Sequence, residues 1–264
     1  MIEKLHLDWS NYYKKKIKRC KKKKIKFLTS AFSVQDYLKV KKLNMDFIKI
    51  PSGEIINDLL LKKVSSSKKK IILSTGMSTY DEILDAINIL KKKSSKKNII
   101  LMHCVSDYPT KDGDINLNTI LYLKNKFKIE VGFSDHSLGI DAPVAAVVLG
   151  AKIIEKHFTL SKKMQGPDHK ASLNPNEFSQ MVKKIRKIEK ILGKKKKIIT
   201  KNEKKTKLLV RQSLHAIKNI KKGEKLTKYN IALMRPTGGA PPSKFNKFIG
   251  TRAKKRYFIY EQIK

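Results

Sequence analysis

Residues 71–104 read IILSTGMSTYDEILDAINILKKKSSKKNIILMHC, and this stretch decides the fold. Ile71-Ile72-Leu73 is a short aliphatic run closed by the turn formers Ser74-Thr75-Gly76, the pattern of a strand buried on both faces. Thr79 to Leu90 then repeats apolar residues at helical spacing, and Ile99 to Met102 restarts the strand pattern before His103-Cys104. Strand, helix and strand at this spacing predict a parallel βαβ unit with a right-handed crossover.

The alternation continues in both directions. Apolar runs at Ile25–Leu28, Phe47–Ile50, Ile129–Phe133 and Ala151–Ile154 alternate with helical patterns at Val34–Leu43, Ile55–Val64, Asn116–Lys126, Ala142–Leu149 and Pro175–Leu192. Asn174 can cap the last helix, with Pro175 at its first position. Polar residues follow each strand: Thr29-Ser30, Pro51-Ser52-Gly53-Glu54, Ser74-Thr75-Gly76, His103-Cys104, Ser134-Asp135-His136 and His157. The expected class is α/β, and in a TIM (β/α)₈ barrel these clusters line one mouth. Six strand units fall two short of eight, which leaves two edges open. Met1 to Lys24 reads as a helix ahead of the first counted strand, carrying Trp9, Tyr12 and Tyr13. The barrel part is expected over 1–193 and a Lys-rich linker over 194–208. A small β-rich module of short strands and tight turns is expected over 209–264.

Composition excludes several classes. The 264 residues are 40% hydrophobic, enough for a packed core. No apolar run approaches the ~20 residues of a membrane helix, and the N-terminus lacks a signal-peptide pattern. Cys20 and Cys104 make neither a disulfide framework nor a four-ligand zinc site. A cytoplasmic protein with no membrane partner is expected. The net charge of +39 raises nucleic-acid binding, yet only six of the 61 cations are arginine, the side chain best suited to bidentate phosphate and base contacts. The charge therefore reads as lysine used to fill surface positions, with no specific nucleic-acid partner.

Several residues carry candidate chemistry. His136 and His157 close consecutive strands, so their imidazoles can converge on one divalent ion and leave coordination positions open. A hydrogen-bonded rim histidine is the competing reading of each. His103 and His169 are weaker metal candidates, and His6 and His215 have no supporting context. Ser52, Ser74 and Ser134 follow three different strands and with Lys49 can hold a phosphate, although serines there also serve as turn formers. Glu54 is either a general base or a helix-start carboxylate. Asp168 sits in a turn as a possible sugar-hydroxyl ligand, and Tyr108 either fixes its loop or contacts substrate.

At these residues the sequence resembles the sialic acid synthase family. The matching stretches are Phe27–Phe32, Ile48–Glu54, Ile72–Met77, His103–Thr110, Gly132–Gly139, Ile154–Leu160 and Gly166–Ser172, in the family's order and spacing. The segment from Leu209, with Ile220-Lys221-Lys222-Gly223-Glu224 and Arg235-Pro236, is similar to the family's C-terminal antifreeze-like (SAF) domain. The resemblance implies condensation of phosphoenolpyruvate with N-acetylmannosamine or a related N-acylated amino sugar, releasing phosphate and forming N-acetylneuraminate. The alternative product is N,N'-diacetyllegionaminate. It implies a divalent cofactor held by His136 and His157, manganese first, with magnesium or cobalt as alternatives. Lys49, Ser52, Ser74, Ser106 and Ser134 fall at phosphate-binding positions, and Lys49 and Glu54 are the catalytic candidates, Glu54 as the carboxylate that handles the proton of the incoming water. Tyr108 and Asp168 fall at sugar-site positions. Arg235 falls where the family places an arginine over the partner subunit's mouth, which implies a domain-swapped homodimer.

The sequence departs from the family at its start. Segments matching the first two strand units are missing, so the expected barrel lacks its first two βα units, and the chain is expected to be poorly active alone. Three other readings stay open: a Schiff-base aldolase using Lys49, an inactive remnant with a sugar-binding or partner-docking SAF module, and a basic nucleic-acid binder.

Overall fold

The computed structural model describes the backbone of residues 9–264 and the side chains of residues 12–264, so His6 and the Trp9 ring lie outside the described residues. The chain divides into two compact units at Gly193/Lys194. The first runs α1 (Trp9–Lys22), α2 (Val34–Lys41), β1 (Phe47–Ile50), α3 (Asp58–Ser65), β2 (Lys70–Ser74), α4 (Tyr80–Lys91), β3 (Ile99–Cys104), α5 (Asn118–Phe127), β4 (Glu130–Asp135), α6 (Asp141–Val148), β5 (Ile154–Lys156) and α7 (Pro175–Leu192). Its five strands are all parallel, in the order β1-β2-β3-β4-β5, and form a curled half-barrel.

The helices start where local chemistry dictates. Thr79 and Asn174 each accept from the backbone N–H of the glutamate three residues on, while Glu82 and Glu177 reach back to the cap. Strand faces then separate by the two-residue period. Ile48, Ile50, Ile71, Leu73, Ile99, Leu101, Val131 and Phe133 are buried against Leu60, Leu61 and Val64 of α3, Ile83, Ile87 and Leu90 of α4, and Ile120, Leu123 and Phe127 of α5. Each such side chain contributes about 1.5–3 kcal/mol through burial. The alternate residues, Lys49, Ser74, Cys104, Ser134 and Glu155, therefore face the concave side.

Three expectations differ from the structure, the smallest being the strand expected at Ala151–Ile154, which lies at Ile154–Lys156. Ile25–Leu28 is not a strand: lysines interrupt its apolar pattern, and Ile25 stays 63% exposed. The chain joins the sheet later, through one parallel bridge from Ser30 to Lys49 and an Ala31 N–H bond to the Lys49 carbonyl of 3.2 Å. The stretch expected as linker carries α8 (Lys201–Val210), because Thr200 and Glu203 form a capping box among the lysines.

The second unit continues with β6 (Ser213–Ala216), β7 (Ile231–Met234) and the single turn α9 (Phe245–Phe248). β6 and β7 pair antiparallel, and Leu214, Ala216, Ile220, Leu226, Ile231, Tyr257 and Ile263 form its own small core. Among the described residues no helix is long and apolar enough to cross a membrane.

Candidate functional site

The site lies at the C-terminal ends of the parallel strands, where the concave faces meet. Register puts Ser134 of β4 beside Glu155 of β5, and each strand places a histidine two residues further on the same face. His136 and His157 consequently stand edge to face, ring centroids 5.3 Å apart and planes at 88°. The Tyr108 ring covers both, at 4.2 Å from His136 and 5.7 Å from His157. Burial raises the pKa of the Tyr108 phenol, and the neighbouring Cys104, Asp168 and Glu155 add to that direction.

The tautomer of His136 follows from its partners. Nδ1 lies 2.6 Å from the Val105 carbonyl, an acceptor only, so Nδ1 carries the hydrogen and Nε2 keeps its lone pair. Ser134 stands 3.5 Å from that Nε2, but its hydroxyl hydrogen goes to Glu155 Oε1 at 2.7 Å. Burial holds His136 below the ordinary imidazole range, opposed by the Val105 bond and reinforced by His157. A neutral imidazole with an unclaimed Nε2 is the form that binds a metal. His157 Nδ1 faces Asp168 Oδ2 at 3.8 Å, so an exposed carboxylate flanks the second ring. Among the described residues no cluster of three His, Cys, Asp or Glu side chains forms a ready metal cage. The pair fits a divalent ion whose remaining ligands come from substrate or water.

On the same concave face lies a set of cationic and hydroxyl groups. The Lys49 ammonium donates to both oxygens of Glu155 at 2.8 Å. Burial pushes the Glu155 carboxyl up, but the Lys49 charge and the bonds from Lys49 and Ser134 outweigh it and hold it below the usual carboxylate range. Ser74 Oγ is buried on the same concave face with no hydrogen-bond partner among the described residues. Ser52 Oγ accepts the Gly76 N–H at 3.0 Å and touches Cys104 Sγ at 3.2 Å. Position 76 is tight for a side chain: a Cβ there would stand 2.8 Å from Cys104 Sγ and 2.9 Å from Ser52 Oγ, and closer still to Ser106 Oγ, so those side-chain ends would have to move. Ser52, Cys104 and Ser106 thus close around one α-carbon. Glu54, in the 3₁₀ turn Ser52–Glu54, is partly buried and accepts from Asn57 Nδ2 at 2.7 Å.

Other sequence candidates lie elsewhere. The period of β3 sends His103 to the helix side, where Nε2 donates to the Ile115 carbonyl at 2.8 Å, so it does not join His136 and His157. His169 Nδ1 bonds Thr159 Oγ1 at 2.8 Å. Arg235 is exposed at the end of β7, in the second unit. Two features escaped the sequence reading: Glu155, and a buried ion pair of 2.6 Å between Asp135 Oδ2 and Lys156 Nζ. For Glu155 the available signal was its position two residues before His157 on one strand.

The model of the NeuB family matches residues 1–197, and that of the SAF domain residues 211–256. An N,N'-diacetyllegionaminic acid synthase of Campylobacter jejuni is 45% identical, across 100% of this chain and 79% of its own length. A pseudaminic acid synthase of the same species is 37% identical, across 86% of this chain and 66% of its own. The crystal structure of N-acetylneuraminic acid (sialic acid) synthetase from Leptospira borgpetersenii is 38% identical, with a TM-score of 0.70 over 74% of this chain and 68% of that one.

Proposed function

The chain belongs to the NeuB family, and from that membership we propose that it joins phosphoenolpyruvate to an N-acylated amino sugar aldehyde. The products are a nonulosonic acid and inorganic phosphate. One observation carries the reading. A lysine ammonium and serine hydroxyls, one of them the buried Ser74, unpartnered among the described residues, share the concave face from which His136 and His157 follow. An orphaned buried hydroxyl costs about 1–3 kcal/mol, a cost relieved when a ligand oxygen bonds it.

In this reading Lys49, Ser52, Ser74, Ser106 and Ser134 bind the phosphate-bearing substrate. The enolpyruvyl methylene carbon attacks the sugar aldehyde carbon, forming the new C–C bond, and the aldehyde oxygen takes up a proton. Water then adds to the cationic carbon that bore the phosphate. Glu54 receives one proton of that water. The hydroxyl left on the carbon then gives up its own proton as its C=O bond forms and the C–O bond to the bridging oxygen breaks, so phosphate departs with that oxygen and that proton. His136 and His157 would hold a divalent ion, manganese first and magnesium or cobalt as alternatives, which would supply Lewis-acid polarisation of the aldehyde. Tyr108 and Asp168 orient the sugar. Arg235 of a second copy binds its acyl group in a domain-swapped homodimer.

The 45% identity to a legionaminic acid synthase over the whole chain favours a diacetamido-trideoxy sugar over N-acetylmannosamine. A Schiff-base aldolase at Lys49 fits poorly, because its amine must lose a proton to attack and here donates to both oxygens of a carboxylate. The test is phosphate release from phosphoenolpyruvate at high protein concentration, with each sugar and with or without Mn²⁺. Release that requires a sugar and stops with EDTA is expected. Release independent of sugar, or none with either sugar, contradicts the proposal.

A further inference from the structure

The cation proposed to receive the phosphate already has an anion. Lys49, on β1, and Glu155, on β5, belong to opposite edges of the five-stranded sheet, yet the ammonium meets both carboxylate oxygens at 2.8 Å across the concave face. Ser134, paired in register with Glu155, donates to the same carboxylate at 2.7 Å. One lysine and one hydroxyl converging on an oxyanion is the donor set a phosphoryl group requires. The two partners differ in freedom: the Lys49 side chain is 8% exposed and that of Glu155 is 41% exposed. The cation is fixed in the wall, whereas the carboxylate has open space beside it.

We propose that Glu155 is a positioning residue that holds Lys49 and Ser134 for an oxyanion and hands both donors to the phosphate of the enolpyruvyl substrate as it binds. The inference rests on the function proposed above. With the carboxylate in place the local pair is neutral and offers little net attraction to a phosphate dianion. Departure of the carboxylate exposes a full positive charge, and arrival of the phosphate keeps that buried charge from being stranded. The exchange swaps one anion for another, so Glu155 competes with the substrate that it prepares the site to receive.

A fixed structural peg and an exchanging anion predict opposite effects of the same substitution. If Glu155 is only a peg, its loss disorders Lys49 and weakens binding. If it exchanges, Glu155→Gln offers Lys49 a weaker, neutral partner, and phosphoenolpyruvate binds about tenfold more tightly, roughly the difference between a charged and a neutral hydrogen-bond partner. Glu155→Asp draws the carboxylate back by one methylene and produces a smaller tightening. Calorimetric titration of the full chain with phosphoenolpyruvate reads both, and the rise in melting temperature on adding the same compound is larger in Glu155→Gln than in the wild type. Weaker or unchanged binding in Glu155→Gln, beside a wild type that binds, overturns the exchange alone. If Glu155→Gln does not fold, Glu155→Asp decides by the same criterion. Failure of wild type and both variants to bind phosphoenolpyruvate overturns the functional reading and the exchange with it.

Discussion

Asp135 and Lys156 form an ion pair of 2.6 Å whose side chains are 0% and 1% exposed, and each immediately precedes a strand-end histidine. Lys156 also donates to the Ser137 carbonyl, while the other Asp135 oxygen takes the Ser137 N–H and hydroxyl at 2.9 and 2.7 Å. Every polar atom of the pair is thereby engaged, the condition under which a buried pair is tolerable. The pair ties β4 to β5 on the helix side, so that His136 and His157 meet on the other.

Removing one partner leaves the other charge buried alone. Asp135→Asn should cost about 3–5 kcal/mol, read as a fall in the urea midpoint. Asp135→Asn combined with Lys156→Gln should lose less than the two single changes added together. A cycle in which the losses simply add would show that the two residues do not act as a pair.

Ser74→Ala separates folding from binding. The hydroxyl has no partner among the described residues, so its removal should leave stability unchanged or raise it by up to about 1 kcal/mol. Phosphoenolpyruvate should bind about tenfold more weakly, the loss of one hydrogen bond to an anion. Loss of stability with unchanged binding would assign Ser74 to the scaffold.

Gly76→Ala presses a methyl group on Ser52, Cys104 and Ser106. The neighbours are the ends of side chains, which can rotate, so the fold should survive with a loss of about 1–3 kcal/mol. The cradle should not survive, and phosphoenolpyruvate affinity should fall at least tenfold. Binding at wild-type strength would mean that the three side chains are not part of the anion site.

His103 sets a pH dependence of stability. Burial lowers its pKa, and the Ile115 bond only partly opposes this. The unfolded chain takes up that proton near pH 6.5 and the folded chain only at lower pH. Between those two values the unfolded state binds more protons, so stability falls as pH drops below about 6.5 and levels off beneath the folded-state value. His103→Gln, which retains a donor for Ile115, should show a shallower fall in melting temperature between pH 7 and pH 5.

The fold was legible in sequence because parallel strands buried on both faces announce themselves as short aliphatic runs, as at Ile71–Leu73 and Ile99–Met102. The convergence of the two histidines was legible for the same reason, since each stands three residues after such a run. Glu155 was not. The strand expected at Ala151–Ile154 lies instead at Ile154–Lys156, so the apolar pattern puts Glu155 after the strand and not on its concave face. Its partner Lys49 lies 106 residues away, beyond any local pattern. His103 failed by one register step, because only the observed end of β3 at Cys104 shows that it faces the helices. Helix α8 was hidden by lysines of low hydrophobicity, although Thr200 and Glu203 carry its start signal.

The account turns on His136 and His157 acting together on one cation. Manganese titration followed by electron paramagnetic resonance tests this directly, comparing the wild type with the double variant His136→Ala/His157→Ala. Uptake of a single Mn²⁺ per wild-type chain, and none by a folded double variant, is the predicted result. Equal uptake by both proteins would contradict it.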